Sequence, residues 1–150
     1  FHDHCVKKEY RAFIYGTLKD RWGTINRPIG RSTKNFKLRS AERGARGMLR
    51  EAITHWELIG QSSTHAYLRL MPKTGRTHQL RVQLKAIGKP IVHDVLYAPH
   101  HILKGDDLGF KRLALHAHSL TIMLPDITER TFLAVFPLDF EIACDRIAVT

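Results

Sequence analysis

The densest chemistry in the chain lies between residues 74 and 97, TGRTHQLRVQLKAIGKPIVHDVLY. A glycine turn there opens a polar stretch carrying two arginines, Arg76 and Arg81. Arginine is the side chain best shaped to hold a carboxylate or phosphate through two parallel hydrogen bonds. The spacing reads as strand, turn and helix, with Thr77 as N-cap, Leu80, Leu84 and Ile87 on one face, and Gly88 at the C′ position. His78, Arg81 and Lys85 share another face of that helix. Taken alone, the pattern fits a solvated surface helix as well as an anion site.

Residues 27–50 form the basic centre of the molecule. Arg27, Arg31, Lys34, Lys37, Arg39, Arg43, Arg46 and Arg50 face the single acid Glu42. Few apolar residues interrupt them before Met48, so the segment reads as an exposed hairpin or loop, with Arg39, Arg43 and Arg46 as candidate nucleic-acid contacts. His116 and His118 alternate on a strand and point to one face, where two imidazoles could ligate zinc. No carboxylate or Cys stands at ligand spacing beside them, and structural zinc wants four close ligands, so no metal is expected. Glycine loops of the GxGxxG and GxxxxGK[ST] types are absent, as is a Ser-His-Asp order.

The elements that must position these groups are mostly strands. KKEYRAFIYGTL (7–18) alternates with period two and ends at Gly16. Further strands are read over 50–60, 65–71, 112–124 and 130–137, with a hairpin-like GQSST between the first two of these. Pro28 and Gly30 in NRPIGRS argue against regular structure there, and 88–111 reads as a turn-rich link. The fold class is α+β, with a mainly antiparallel mixed sheet and flanking helices.

Composition sets the outer bounds. The 150 residues suit one domain, and 43% hydrophobic with 25% charged residues excludes wholesale disorder. A net charge of +10 favours a polyanionic partner, most simply nucleic acid. Cys5 and Cys144 form no disulfide framework, which fits a reducing cytoplasmic setting. No apolar run approaches the ~18 residues of a membrane span.

The 74–97 segment resembles the signature of RluA-type RNA pseudouridine synthases, TGRTHQIRVHL followed by GHPIxGDxLYG. Four more blocks follow the family order. KKEYRAFIYG resembles its KxYxAxVxG strand, TINRPIGR its IxxPIGR turn, KRLALHAHSLTI its RLxLHAxxLxF strand, and AVFPLDF its closing APLPxDF. The resemblance spans nearly the whole chain. It implies the catalytic-domain fold of that family and a cofactor-free isomerase acting on uridine in structured ribosomal or transfer RNA. A catalytic Asp cleaves the N-glycosidic bond, and the uracil rotates and rejoins the ribose through C5. The target base must leave its stack, which favours loops such as those of a stem-loop. Carried over by motif, Tyr10 stacks on the flipped base and takes part in removing the C5 proton. Arg81 pairs with the catalytic Asp, and Leu113 walls the pocket. Arg76 and His78 are weaker candidates for substrate phosphate or structural hydrogen bonds, and Lys85, on the same helix as His78, is an RNA-binding candidate with them.

One departure dominates. The family Asp belongs to an HRLDxxTSG block upstream of the KxYxA strand, yet only FHDHCVKKE precedes Tyr10 and HRLD occurs nowhere. Asp3 has the wrong flanks, Asp94 matches the GD of GHPIxGD and is expected to be structural, and Asp145 follows the last motif. The expectation is therefore a C-terminal portion of the catalytic domain, inactive by itself, that needs a missing N-terminal segment. The exposed sheet edge left behind favours self-association. Two other readings stay open: a non-catalytic RNA-binding module derived from the family, and a metal-dependent hydrolase using the paired histidines. Gln83 stands where the family has His, and His93 where it has Gly. The latter change predicts an altered turn over 93–97 if that backbone has positive φ.

Overall fold

A computed structural model describes residues 6–35 and 37–147 of the chain. Asp3, Cys5, His2 and His4 lie outside the described residues. A six-stranded antiparallel sheet carries the molecule, in the order β2-β6-β7-β1-β8-β9. Its strands are β1 (Val6–Tyr15), β2 (Trp22–Asn26), β6 (Ile53–Gln61), β7 (His65–Pro72), β8 (Leu115–Met123) and β9 (Glu129–Leu133). A second, three-stranded sheet of β3 (Ile29–Arg31), β4 (Arg39–Ser40) and β5 (Arg46–Arg50) is ordered β4-β3-β5. The helices are α1 (Gln79–Ala86), α2 (Pro99–Lys104) and α3 (Leu138–Arg146). The α+β expectation holds.

β1 and β7 are central, and the inner half of each is buried on both faces. Their register puts Tyr10 opposite Leu70, Ala12 opposite Leu68 and Ile14 opposite Ala66. On the face toward α3, Phe13 stacks on Tyr67 with ring centres 4.4 Å apart and meets Phe140 at 5.3 Å and Phe110 at 5.5 Å. The opposite face carries Tyr10, on the side of α1. A bulge between Glu9 and Tyr10 shifts the β1–β8 register there.

The 24–31 segment corrects the sequence expectation. β2 and β3 are regular, and only Arg27 and Pro28 separate them. Pro28 falls in the gap, where no ladder N–H is required of it. Gly30 lies inside β3 because a Cβ there would sit 2.6 Å from the Arg46 carbonyl oxygen and from the Leu49 side chain. The basic segment that follows takes the hairpin rather than the loop alternative, since β4 pairs antiparallel with β3, and β5 completes a small sheet on its other side. A second apolar cluster of Ile29, Ala41, Ala52, Val82 and Tyr97 seats it against α1.

The start of α1 also differs. Thr77 is not the N-cap; His78 takes that place at φ 53°, with no side-chain cap. The buried Gln79 amide knits the turn together instead. Its Oε1 accepts from the Arg76 N–H at 3.0 Å and from the Thr74 hydroxyl at 2.8 Å, and its Nε2 donates to the Ile53 carbonyl at 3.1 Å. Gly88 ends the helix at φ 75°, as expected. The 88–111 link contains α2, and α3 follows Pro137.

Gln83, fully buried on α1, is the tie between helix and basic sheet. Its Nε2 donates to the carbonyls of Arg27 (3.1 Å) and Ala52 (2.9 Å), while its Oε1 accepts from the Thr54 hydroxyl at 2.6 Å. Every polar atom of that side chain has a partner, which is what permits its burial.

His93 does adopt positive φ, at 57°. The turn keeps a glycine-like backbone with a histidine in it, and a side-chain network opposes the strain. His93 Nδ1 bonds Asp107 Oδ2 at 2.7 Å, the Tyr15 hydroxyl bonds the other Asp107 oxygen, and the His93 N–H donates to the Tyr15 oxygen at 3.0 Å. Burial, then the Asp107 carboxylate, pushes the Tyr15 phenol well above its ordinary range.

Candidate active-site cleft

Tyr10, from β1, and Arg81, from α1, line the same cleft of about 320 Å³ together with Leu113, Leu80, His78 and Arg76. Residues that the sequence places far apart are brought together because α1 lies over the Tyr10 face of the sheet. Lys8 adds a further cation, and its ammonium lies where a Cβ on Gly75 would be only 3.0 Å away. No carboxylate is among the described residues that line this cleft. An aromatic ring with a polar tip, three leucines and several cations suit a planar, polar, anionic ligand.

Arg81 is gripped from behind. Its Nε donates to Asp94 Oδ2 at 3.0 Å and its Nη2 to Oδ1 at 2.7 Å, while its side chain is 16% exposed and that of Asp94 is fully buried. Asp94 also accepts from the N–H groups of Leu96 and Tyr97, both at 3.1 Å. The carboxylate therefore fixes the 93–97 turn and the guanidinium at once. That bidentate bond, opposed only in part by burial, raises the Arg81 pKa above its ordinary value. The guanidinium also lies 5.1 Å from the centre of the Tyr97 ring. Nη1 makes no bond among the described residues, which leaves it available to the cleft. The expectation for Asp94 as structural is met in a specific way: it is the backstop of Arg81. The spacing of the two residues gave no hint of it.

His78 bonds the Tyr97 hydroxyl through Nδ1 at 2.7 Å, and that oxygen accepts from the Arg39 N–H at 3.3 Å. Burial, with Arg81 nearby, lowers the His78 pKa, so the neutral ring is favoured near neutral pH. His78 thus takes part in a hydrogen-bond chain through Tyr97 to Arg39, the structural one of its two expected roles. Arg76 donates from Nε to the Glu51 carbonyl at 2.8 Å.

Lys85 does not share this cleft with His78 and Arg81. It lines a small hollow of about 60 Å³ on the other side of Tyr97, with Lys34, Arg39 and Arg43. Arg46 lies exposed on β5, outside both hollows. His116 and His118 lie apart from all of these, each with a ring nitrogen near the Ala134 carbonyl, at 3.3 and 3.0 Å. His118 stacks on Phe136 at 4.2 Å. No group of three or more His, Cys, Asp or Glu able to hold a metal occurs among the described residues, and no helix among them is long and apolar enough to cross a membrane.

Comparison with known proteins places this geometry in a class. The RNA pseudouridylate synthase family model matches residues 1–86. An uncharacterized RNA pseudouridine synthase of Synechocystis sp. is 36% identical over 144 residues, covering 93% of this chain and 42% of its own. Ribosomal large subunit pseudouridine synthase D of Zymomonas mobilis is 33% identical over 129 residues, covering 83% of this chain and 39% of its own. The human RNA pseudouridylate synthase domain containing 1 structure has the same fold, with TM-score 0.70 at 24% identity over 96% of this chain and 67% of its own. The chain belongs to the RNA pseudouridylate synthase family. It spans about half the length of the curated relatives it matches.

Proposed function

We propose that this chain is the uridine-binding half of an RNA pseudouridine synthase active site. The observation that carries the reading is the single cleft holding Tyr10, Arg81 and Leu113. The flipped uracil stacks on Tyr10 against Leu113, and Arg81 Nη1 meets the nucleophilic carboxylate. We take that Asp to belong to an HRLD-type segment of the kind the family carries, and no acid is among the described residues that line the cleft. The reaction breaks the N1–C1′ bond and reattaches C1′ at C5; C5 then gives up its proton to solvent and N1 takes one up. No cofactor is needed. The substrate is a stem-loop of ribosomal or transfer RNA, and the setting is cytoplasmic. The upstream segment is the natural partner of the exposed sheet edge and its apolar residues. Phe132, Leu133 and Val135 are 51, 72 and 89% exposed along β9 and just beyond it, and without that segment the chain self-associates.

The test is release of tritium from RNA labelled at uridine C5. The 150-residue chain alone releases none, and a version extended upstream through HRLD does. Release by the chain alone places the nucleophile within it and overturns the division of labour. The second reading, a non-catalytic RNA-binding module, draws on the same lack of a carboxylate in the cleft. An extended protein that binds RNA without releasing tritium establishes it.

The basic sheet supplies non-specific affinity in either reading. Arg39, Arg43 and Arg46 make no ion pair among the described residues. Replacing all three by Gln weakens RNA binding and flattens its salt dependence. The slope of log K against log salt drops by roughly 0.7–0.9 for each phosphate no longer neutralised. An unchanged slope removes the sheet from the interface.

A further inference from the structure

A second cleft, of about 230 Å³, shares Gly75 and Arg76 with the Tyr10–Arg81 cleft as a common wall. Three arginines from three separate segments line it: Arg39 on β4, Arg50 on β5 and Arg76 in the turn before α1. The five arginines paired with carboxylates among the described residues are Arg11, Arg69, Arg81, Arg112 and Arg146. The three facing this cleft are not among them. Arg76 is aimed by its Nε bond to the Glu51 carbonyl, which leaves both terminal nitrogens for a ligand. Gathering three guanidiniums with no counter-charge is unfavourable unless an anion joins them. Thr77, Gly75 and two apolar residues complete the wall. Ile29 is buried, and Met48 stands 77% exposed, a polarizable thioether open to a flat partner.

We propose that this cleft is a subsite for the nucleotide adjoining the target uridine: Arg39, Arg50 and Arg76 hold its phosphodiester, and its base lies on Met48. This rests on the reading that the Tyr10–Arg81 cleft takes the uracil. The shared wall at Gly75 and Arg76 lets one strand occupy both clefts in succession. Arg76 then acts on the linkage between the two nucleotides, and Arg50, which touches the second cleft alone, reports on that subsite.

The dinucleotide UpU, its methylphosphonate analogue and free uridine are titrated into the 150-residue chain by NMR. The wild type binds UpU about tenfold more tightly than the uncharged analogue, as expected for one charge-assisted contact. Arg50→Ala binds UpU several-fold more weakly and distinguishes the two ligands less well, since Arg39 and Arg76 still face the phosphodiester. Arg50→Lys retains part of the discrimination, and uridine binding is the same in all three proteins. Arg50 is exposed and pairs with Ile29 through its backbone, so the alanine variant keeps the sheet. Unchanged UpU affinity in Arg50→Ala, or discrimination that is undiminished in it, overturns the subsite. Inorganic phosphate that displaces UpU no better than chloride at equal ionic strength overturns the anion site as well. Uridine that leaves the Tyr10 and Arg81 signals unmoved overturns the underlying reading, a result separable from the others.

Discussion

Alanine at position 81 cuts tritium release from uridine-labelled RNA by at least about a hundredfold in the extended protein, the scale seen when one fixed electrostatic donor is removed from an active site. RNA affinity changes little, because most of the binding charge lies on the basic sheet and not in the cleft. The reason for the loss is geometric. Arg81 spends Nε and Nη2 on Asp94 and keeps Nη1 for the reacting side. Arg81→Lys preserves the charge but cannot bridge both oxygens of Asp94 while reaching forward, so it recovers only a small part of the rate. Equal loss of turnover and RNA affinity in Arg81→Ala would contradict the clamp role. The lysine variant guards against a trivial result, since alanine also strips the buried Asp94 of its cation.

Asp94→Ala has the largest expected effect on stability. It leaves the Arg81 guanidinium largely buried without its carboxylate and frees the N–H groups of Leu96 and Tyr97. Breaking a buried pair from one side costs about 3–5 kcal/mol. The residual exposure of Arg81 places the cost toward the lower end. Asp94→Asn costs less, because its amide oxygen still accepts from the turn. Urea unfolding measures both. A cost for Asp94→Ala within about 1 kcal/mol of wild type would make the pair an ordinary surface bridge and would remove the backstop from the account of Arg81.

The parts of this architecture legible in sequence are those with a strong local signal. β1, β6, β7 and β8 are long runs of eight to ten residues rich in aliphatic and aromatic side chains, and Gly88 marks the end of α1 by its conformational freedom. The parts that were not legible depend on long-range partners. β2 and β3 flank a proline that normally signals a turn, and they are strands because β6 and β5 pair with them. α3 buries only Phe140 and Ala143 over nine residues, too few to set a period. Motif resemblance placed Tyr10, Arg81 and Leu113 in one site, and the cleft brings those three together. It assigned Arg81 to an acid outside the chain. The Asp94 grip came from the folded turn, as did the separation of Lys85 from His78 and the hydrogen-bond chain of His78.

Gln83 gives the molecule a property that neither sheet has alone. With its amide bonded to Arg27, Ala52 and Thr54, the cationic outrigger is bolted to the helix that carries the clamp. A strand landing on the outrigger meets a surface that is already set, and little ordering entropy is spent on capture. Any tilt that a docked strand imposes on the outrigger is handed directly to the helix that carries Arg81.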